Sequence, residues 1–311
     1  MRGNTRTWLL CFVAGVALQG GIYWYLDGVK FAPDSDFYVT GTSDADRMTS
    51  AEDMFGEVTG AGTRYYSYNR EYMAMVTPTS VTIYHSQDKN DIQKIDLKGR
   101  EVSFFEWLPD RNLVLMALYT PDARGTDDII IAQYNPLNPE HELDTPIEGV
   151  PAGSKVTAMA YSTATNAVYM KVKVAEGRYR IYRTDANYDT RRIYVQAENI
   201  GHIGVFYDRD VFFYDDADEG VMYAFNGSDS SWRTISPPGF FRLVGVDGEK
   251  NIYAVRLNKN KQVEELYIGK LGVGFESVGK VTTPLTMEQV TMTFIHEQAA
   301  AGTAAAQPPK E

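Results

Sequence analysis

A strand–turn–strand unit recurs five times along this chain, and no other feature constrains its fold as tightly. The clearest copy is residues 156–174, VTAMAYSTATNAVYMKVKV. It reads as a strand, a turn over Ser162-Thr163-Ala164-Thr165-Asn166, and a second strand rich in Val, Tyr and Met. Comparable units start at Tyr72, Val102, Ile200 and Phe241, and the starts at 72, 102, 156, 200 and 241 are 30, 54, 44 and 41 residues apart. A four-stranded propeller blade takes roughly 40–50 residues. The expected fold is therefore all-β, a β-propeller of five to six blades.

Inside a unit, Val168, Met170, Val172 and Val174 alternate with Tyr169, Lys171 and Lys173, which predicts one buried and one wet face. Asp-containing turns at 109–112, 208–210 and 247–250 join the inner two strands of each blade. Third strands are expected at 92–97, 128–134, 178–184, 221–226 and 264–271, and fourth strands at 192–197, 231–235 and 276–281. Pro136, Pro139, Pro146 and Pro151 predict a loop in place of the fourth strand of the second blade. Residues 290–296, VTMTFIH, read as one further strand, which would pair with 37–40 or 64–68 to close the ring through a shared blade. From Ala299 the tail AAAGTAAAQPPKE is low in complexity and is expected to be disordered.

Residues 8–26, WLLCFVAGVALQGGIYWYL, carry no charge and approach the roughly 20 residues that a helix needs to span a bilayer. Arg2 and Arg6 precede the stretch; Asp27, Asp34 and Asp36 follow it, with Lys30 among them. The positive-inside tendency then leaves the N-terminus in the cytoplasm and exports the rest, with Tyr23, Trp24 and Tyr25 at the outer interface. A cleaved signal peptide with its site at Gly15-Val16-Ala17 is the competing reading. The chain thus divides into a cytoplasmic stub and single-pass signal anchor (1–28), a spacer (29–63), the propeller (64–297) and a tail (298–311).

A net charge of −11 argues against nucleic acid, which needs a surface of Lys and Arg. The single cysteine, Cys11, lies in the apolar run, so the folded part forms no disulfide, as suits a bacterial rather than an animal exported domain.

Unit length and the strand–turn–strand pattern over residues 64–296 resemble those of the bacterial β-propeller group that includes TolB and the N-terminal propeller of dipeptidyl peptidase IV. No Trp-Asp dipeptide marks the repeats, and Gly201-His202 occurs in one unit only. Ser231-Trp232 before Ser236-Pro237-Pro238 is similar to the end of a kelch repeat, without the paired glycines of that family. No G-x-S-x-G is present, so the resemblance implies a scaffold and a location, without the hydrolase domain of the peptidase.

Three residues are singled out for binding. Glu106 stands between Phe105 and Trp107, where aromatic neighbours would raise its pKa and Trp107 would stack a sugar. His202 sits on an inner strand, facing the central channel. Asp208 and Asp247 are the carboxylates that would pair with Glu106 in a glycosidase-like channel. Asp216 and Asp218 have a faint calcium-loop spacing, weighed against their use in a hairpin turn. No cofactor is called for. The expected function is a non-enzymatic, membrane-anchored, extracytoplasmic scaffold that binds another envelope protein and holds the bilayer through residues 8–26; a carbohydrate-active or other hydrolytic propeller is the alternative.

Overall fold

The computed structural model describes residues 58–139 and 143–305, together with Gln19 and Phe55. The proposed membrane span 8–26 and most of the spacer lie outside the described residues, and no helix among the described residues is long and apolar enough to cross a membrane. Every element below belongs to Tyr38–Glu311, one of two compact units.

Twenty strands form five four-stranded antiparallel sheets, each made of four strands consecutive in sequence. Blade 1 comprises β1 (Thr63–Tyr66), β2 (Tyr72–Thr77), β3 (Ser80–His85) and β4 (Ile92–Ile95). Blade 2 comprises β5 (Glu101–Trp107), β6 (Val114–Tyr119), β7 (Thr126–Tyr134) and β8 (Leu143–Pro151). Blade 3 runs through β9 (Lys155–Ser162), β10 (Ala167–Ala175), β11 (Arg178–Thr184) and β12 (Thr190–Ile193). Blade 4 runs through β13 (Ile200–Val205), β14 (Val211–Asp216), β15 (Val221–Asn226) and β16 (Ser231–Thr234). Blade 5 holds β17 (Phe241–Val246), β18 (Asn251–Leu257), β19 (Val263–Lys270) and β20 (Gly274–Leu285). The first strands β1, β5, β9, β13 and β17 lie side by side in chain order, which is the arrangement of propeller blades.

Packing explains why the second strand of each blade is the most apolar. Every residue of β6 (VLMALY) is buried. Tyr169 of β10 is fully buried and stacks on Phe212 of blade 4, at 4.4 Å between ring centroids. The expectation of one wet face on 168–174 is therefore corrected: blades pack on both sides of this strand, and Tyr169 faces one neighbour while Met170 and Val172 face the other. Burial falls off outward, and all four residues of β16 are exposed.

Four cores bind blade 1 to 2, 2 to 3, 3 to 4 and 4 to 5. The two end faces are covered differently. Phe55 packs on Met73 and Met75 of blade 1, and helix α1 (Met292–Ala305) packs Met292 and Ile295 on Val255, Leu257 and Leu266 of blade 5. The helix comes so close that a Cβ on Gly245 would lie 2.5 Å from Met292 Sδ.

Four other expectations are corrected. Residues 290–296 do not form a strand: a 3-10 turn (Met287–Gln289) leads into α1, which also takes in part of the tail expected to be disordered. The shared closing blade is not formed: β1–β4 and β17–β20 are separate sheets, and residues 290–296 pair with no strand. The unit read as starting at Tyr72 is β2–β3; the inner strand is β1, so the blades begin at 63, 101, 155, 200 and 241 and the short first spacing disappears. Lastly, 143–151 is a strand despite Pro146 and Pro151. As the outermost strand of its sheet it needs ladder donors on one edge only, so two missing N–H groups are tolerated.

Candidate functional site

Because each blade is an up-and-down meander, its first-to-second and third-to-fourth connections open at the same end of the array. Along the inner ring of that end, successive turns are laced together. Asn112 Nδ2 of blade 2 donates to Glu71 Oε2 of blade 1 at 2.8 Å. Ser162 Oγ and the Ala164 N–H of blade 3 both donate to the Tyr207 carbonyl of blade 4, at 2.8 and 3.3 Å. Lys250 of blade 5 pairs with Asp208 of blade 4 at 2.7 Å. Among the described residues, no hydrogen bond joins the turns of blades 2 and 3.

The outer ring of the same end is exposed and sets single large apolar side chains among polar ones. Tyr68 in the inner turn of blade 1 is 55% exposed, and each outer connection has one exposed large apolar side chain in it or just after it: Ile92, Leu137, Tyr188, Trp232 and Val273. Of the large apolar residues recorded as exposed, only Tyr194 lies elsewhere. Trp232 is held edge-on against Tyr223, with centroids 6.2 Å apart.

At the unlaced seam, Glu106 of β5 pairs across the sheet with Leu115, so it shares the face that packs against blade 3. Tyr161 of β9 faces it from blade 3, is 9% exposed, and its hydroxyl has no hydrogen-bond partner. Glu106 makes no hydrogen bond to a described residue, and burial alone pushes its carboxyl up to about 7. Burial also drives the Tyr161 phenol upward, and the nearby carboxylates of Glu106 and Asp110 add to that.

The opposite end holds a buried charge cluster. Every inner strand from blade 2 to blade 5 carries a bulge, near its start at Ser103, Thr157 and Gly201-His202 and past its middle at Val244. At two of these positions a hydroxyl fills the gap: Ser103 Oγ and Thr157 Oγ1 donate to the Ala117 and Lys171 carbonyls at 3.2 and 3.3 Å. In blade 4 the bulge opens onto Asp215, which is fully buried, accepts the His202 N–H at 2.5 Å and pairs with Arg242 of blade 5. Lys171 Nζ reaches the Gly201 carbonyl at 2.6 Å and lies 4.3 Å over the Tyr179 ring. Burial lowers this amine to about 8, against the pull of Asp215. Burial also lowers the His202 pKa, countered by Asp215, although the ring remains accessible along the inner strands.

No protein-family profile matches this sequence, and no curated protein matches it. Solved structures do. Dihydro-heme d1 dehydrogenase NirN aligns over 72% of this chain at 12% identity with a TM-score of 0.48, and the aligned part spans only 48% of that protein. A protein of Agrobacterium tumefaciens assigned as TolB aligns over 72% of this chain and 82% of its own, at 10% identity and TM-score 0.41. Luciferin-regenerating enzyme aligns over 74% and 78%, at 14% identity and TM-score 0.41. The five four-stranded meander sheets are the arrangement of a β-propeller.

The residues expected to act together are not brought together. Trp107 follows Glu106 on β5 and so turns the other way, into the core between blades 1 and 2, where its Nε1 donates to the Tyr65 carbonyl at 3.0 Å. Trp107 cannot stack a ligand held by Glu106, and the raised carboxyl reflects burial between blades, not flanking aromatics. His202 sits at the far end of another inner strand. Asp247 accepts from the Tyr253 hydroxyl and from the Asn251 backbone and amide, at 2.8, 2.8 and 2.7 Å. Asp216 Oδ1 accepts the N–H groups of Asp218 and Glu219, and Asp218 accepts from Asn199, as hairpin-turn residues do. Tyr161 carries no signal in the sequence, because a Tyr inside a strand pattern gives no sign of which neighbour it will meet, and Asp215, which the sequence groups with the acidic turn residues, lies instead inside β14.

Proposed function

We propose that this chain is a membrane-anchored, extracytoplasmic propeller that binds another protein of the cell envelope, held to the bilayer through residues 8–26. One observation carries the reading: Tyr68, Ile92, Leu137, Tyr188, Trp232 and Val273, drawn from all five blades, are exposed at a single end of the array. Exposed aromatic and aliphatic side chains around a polar centre are what a protein interface offers, with Trp and Tyr the usual anchors. The laced inner turns hold that end rigid, so little ordering cost falls on binding.

The test is crosslinking in intact cells followed by capture and mass spectrometry. A reproducible envelope partner whose recovery drops with Trp232→Ala and Tyr188→Ala supports the reading. Capture that is unchanged by both substitutions overturns it.

Glu106 favours a second reading. A desolvated carboxyl poised near 7 suits general-acid work in a hydrolytic propeller. Turnover of a glycan by the purified protein, abolished by Glu106→Gln, would establish that activity in its place.

A further inference from the structure

The buried polar atoms without a hydrogen-bond partner among the described residues are all oxygens: Asn112 Oδ1, Tyr161 OH, Thr163 Oγ1, Thr165 Oγ1 and Asp208 Oδ1, the last meeting only the Arg209 guanidinium as an ion pair at 3.4 Å. All belong to the inner strands and turns of blades 2, 3 and 4, at the same end of the array. The cations of this region are already spent: Arg111 on Asp110 at 2.7 Å, Lys250 on Asp208 at 2.7 Å, and Arg209 on Asp208 at 3.4 Å. Glu106, half-buried at the same seam, has no cation and no hydrogen-bond donor among the described residues, and the buried Tyr161 hydroxyl beside it has no hydrogen-bond partner. A buried hydroxyl such as that of Tyr161 is rarely left unpaired, and the half-buried carboxylate beside it adds a charge with no partner, so the seam suits a group that brings its own N–H donors.

The geometry points to a binding site for a primary ammonium group in the seam between blades 2 and 3, with Glu106 and the Tyr161 hydroxyl as its acceptors and Asp110 at the mouth. A compact –NH3+ offers three donors and one positive charge, which matches an all-oxygen lining holding an unneutralised carboxylate. The net charge of −11 draws cations toward it. The ammonium belongs either to a free small amine or to a lysine of a bound partner.

Titration of the full chain with n-butylammonium chloride, followed by calorimetry or by chemical shifts of labelled tyrosine, tests the site. Saturable 1:1 binding is expected, weakened about ten-fold or more by Glu106→Gln, the loss expected when a charge-assisted bond is removed. Tyr161→Phe is expected to weaken it several-fold while leaving the melting temperature unchanged or higher, since the hydroxyl it removes has no partner. Tetramethylammonium, which has no N–H, is expected not to compete. No saturation up to ~100 mM, where even a millimolar contact registers, would overturn the site, as would saturation that neither variant alters. Glycerol binding as tightly as the amine would overturn it in favour of a polyol site. If n-butylammonium also releases the captured envelope protein, the source is a partner's lysine; if capture persists, it is a free amine. The titration needs no partner, so its failure and failure of the scaffold reading are read separately.

Discussion

Replacing Glu106 by glutamine isolates the electrostatic cost built into the seam between blades 2 and 3. The carboxyl rises from its ordinary 4.5 to about 7 because folding strips water from it and supplies no hydrogen bond in return. The native state therefore holds this proton more tightly than the unfolded chain does. Stability from the neutral form is fully present below about 4.5 and is lost as pH climbs through about 7. Above that, the wild-type chain carries a buried charge that costs about 2–3 kcal/mol, the upper figure reduced because some water still reaches the carboxylate. Glutamine keeps the shape and removes the charge. Glu106→Gln is thus expected to melt with the wild type at pH 4.5 and roughly 5–10 °C above it at pH 8, on a scale of about 2–4 °C per kcal/mol for a domain of this size. The assay is thermal unfolding by circular dichroism across that range, comparing the difference between the two proteins so that other titrating groups cancel. A difference that stays flat with pH, or a variant less stable at pH 8, would refute the picture of an unpartnered carboxylate.

Three further outcomes follow from the packing. Gly201→Ala is expected to destabilise strongly by chemical denaturation, since an added Cβ would fall within 2.6 Å of both Asp215 carboxylate oxygens and on the Arg242 side chain paired with them. Asp210→Ala strips the acceptor from Arg183, 2.5 Å away, and from the Tyr169 hydroxyl, also 2.5 Å away, and should cost about 3–5 kcal/mol by chemical denaturation, as removal of one partner of a buried pair does. Ile295→Ala opens a cavity under the helix that caps blade 5 and should cost about 2–4 kcal/mol; a neutral result would mean that α1 is not part of the folded core. Stability should also fall as the solution is acidified through the His202 pKa, which burial has lowered, and His202→Gln should remove that part of the fall.

Much of the architecture was legible because a blade is a local object. Its four strands are consecutive, its turns are short and rich in Asp and Asn, and its length sets the repeat. Third strands at 128–134, 178–184 and 221–226 fell close to the observed β7, β11 and β15 for that reason. Where the reading failed, the deciding interaction was not local. β1 is a four-residue strand, TRYY, whose role rests on pairing with β2 and on the bond that Trp107 makes to its backbone. The stretch VTMTFIH has the composition of a strand, but it joins none of the five sheets. Its apolar side chains are instead spent as a helix against blade 5.

The repeat, the turn chemistry and the acidic balance are properties of neighbours along the chain, and they are sufficient to specify five meander sheets. Which side chains meet across the seams is decided by how one blade leans on the next. Alternation sends Glu106 and Trp107 to opposite faces of one strand, and only the approach of blade 3 makes Tyr161 the neighbour of that carboxyl. A carboxylate's chemistry depends on the water and donors around it, so the character of this site arises between blades and cannot be written into either one alone.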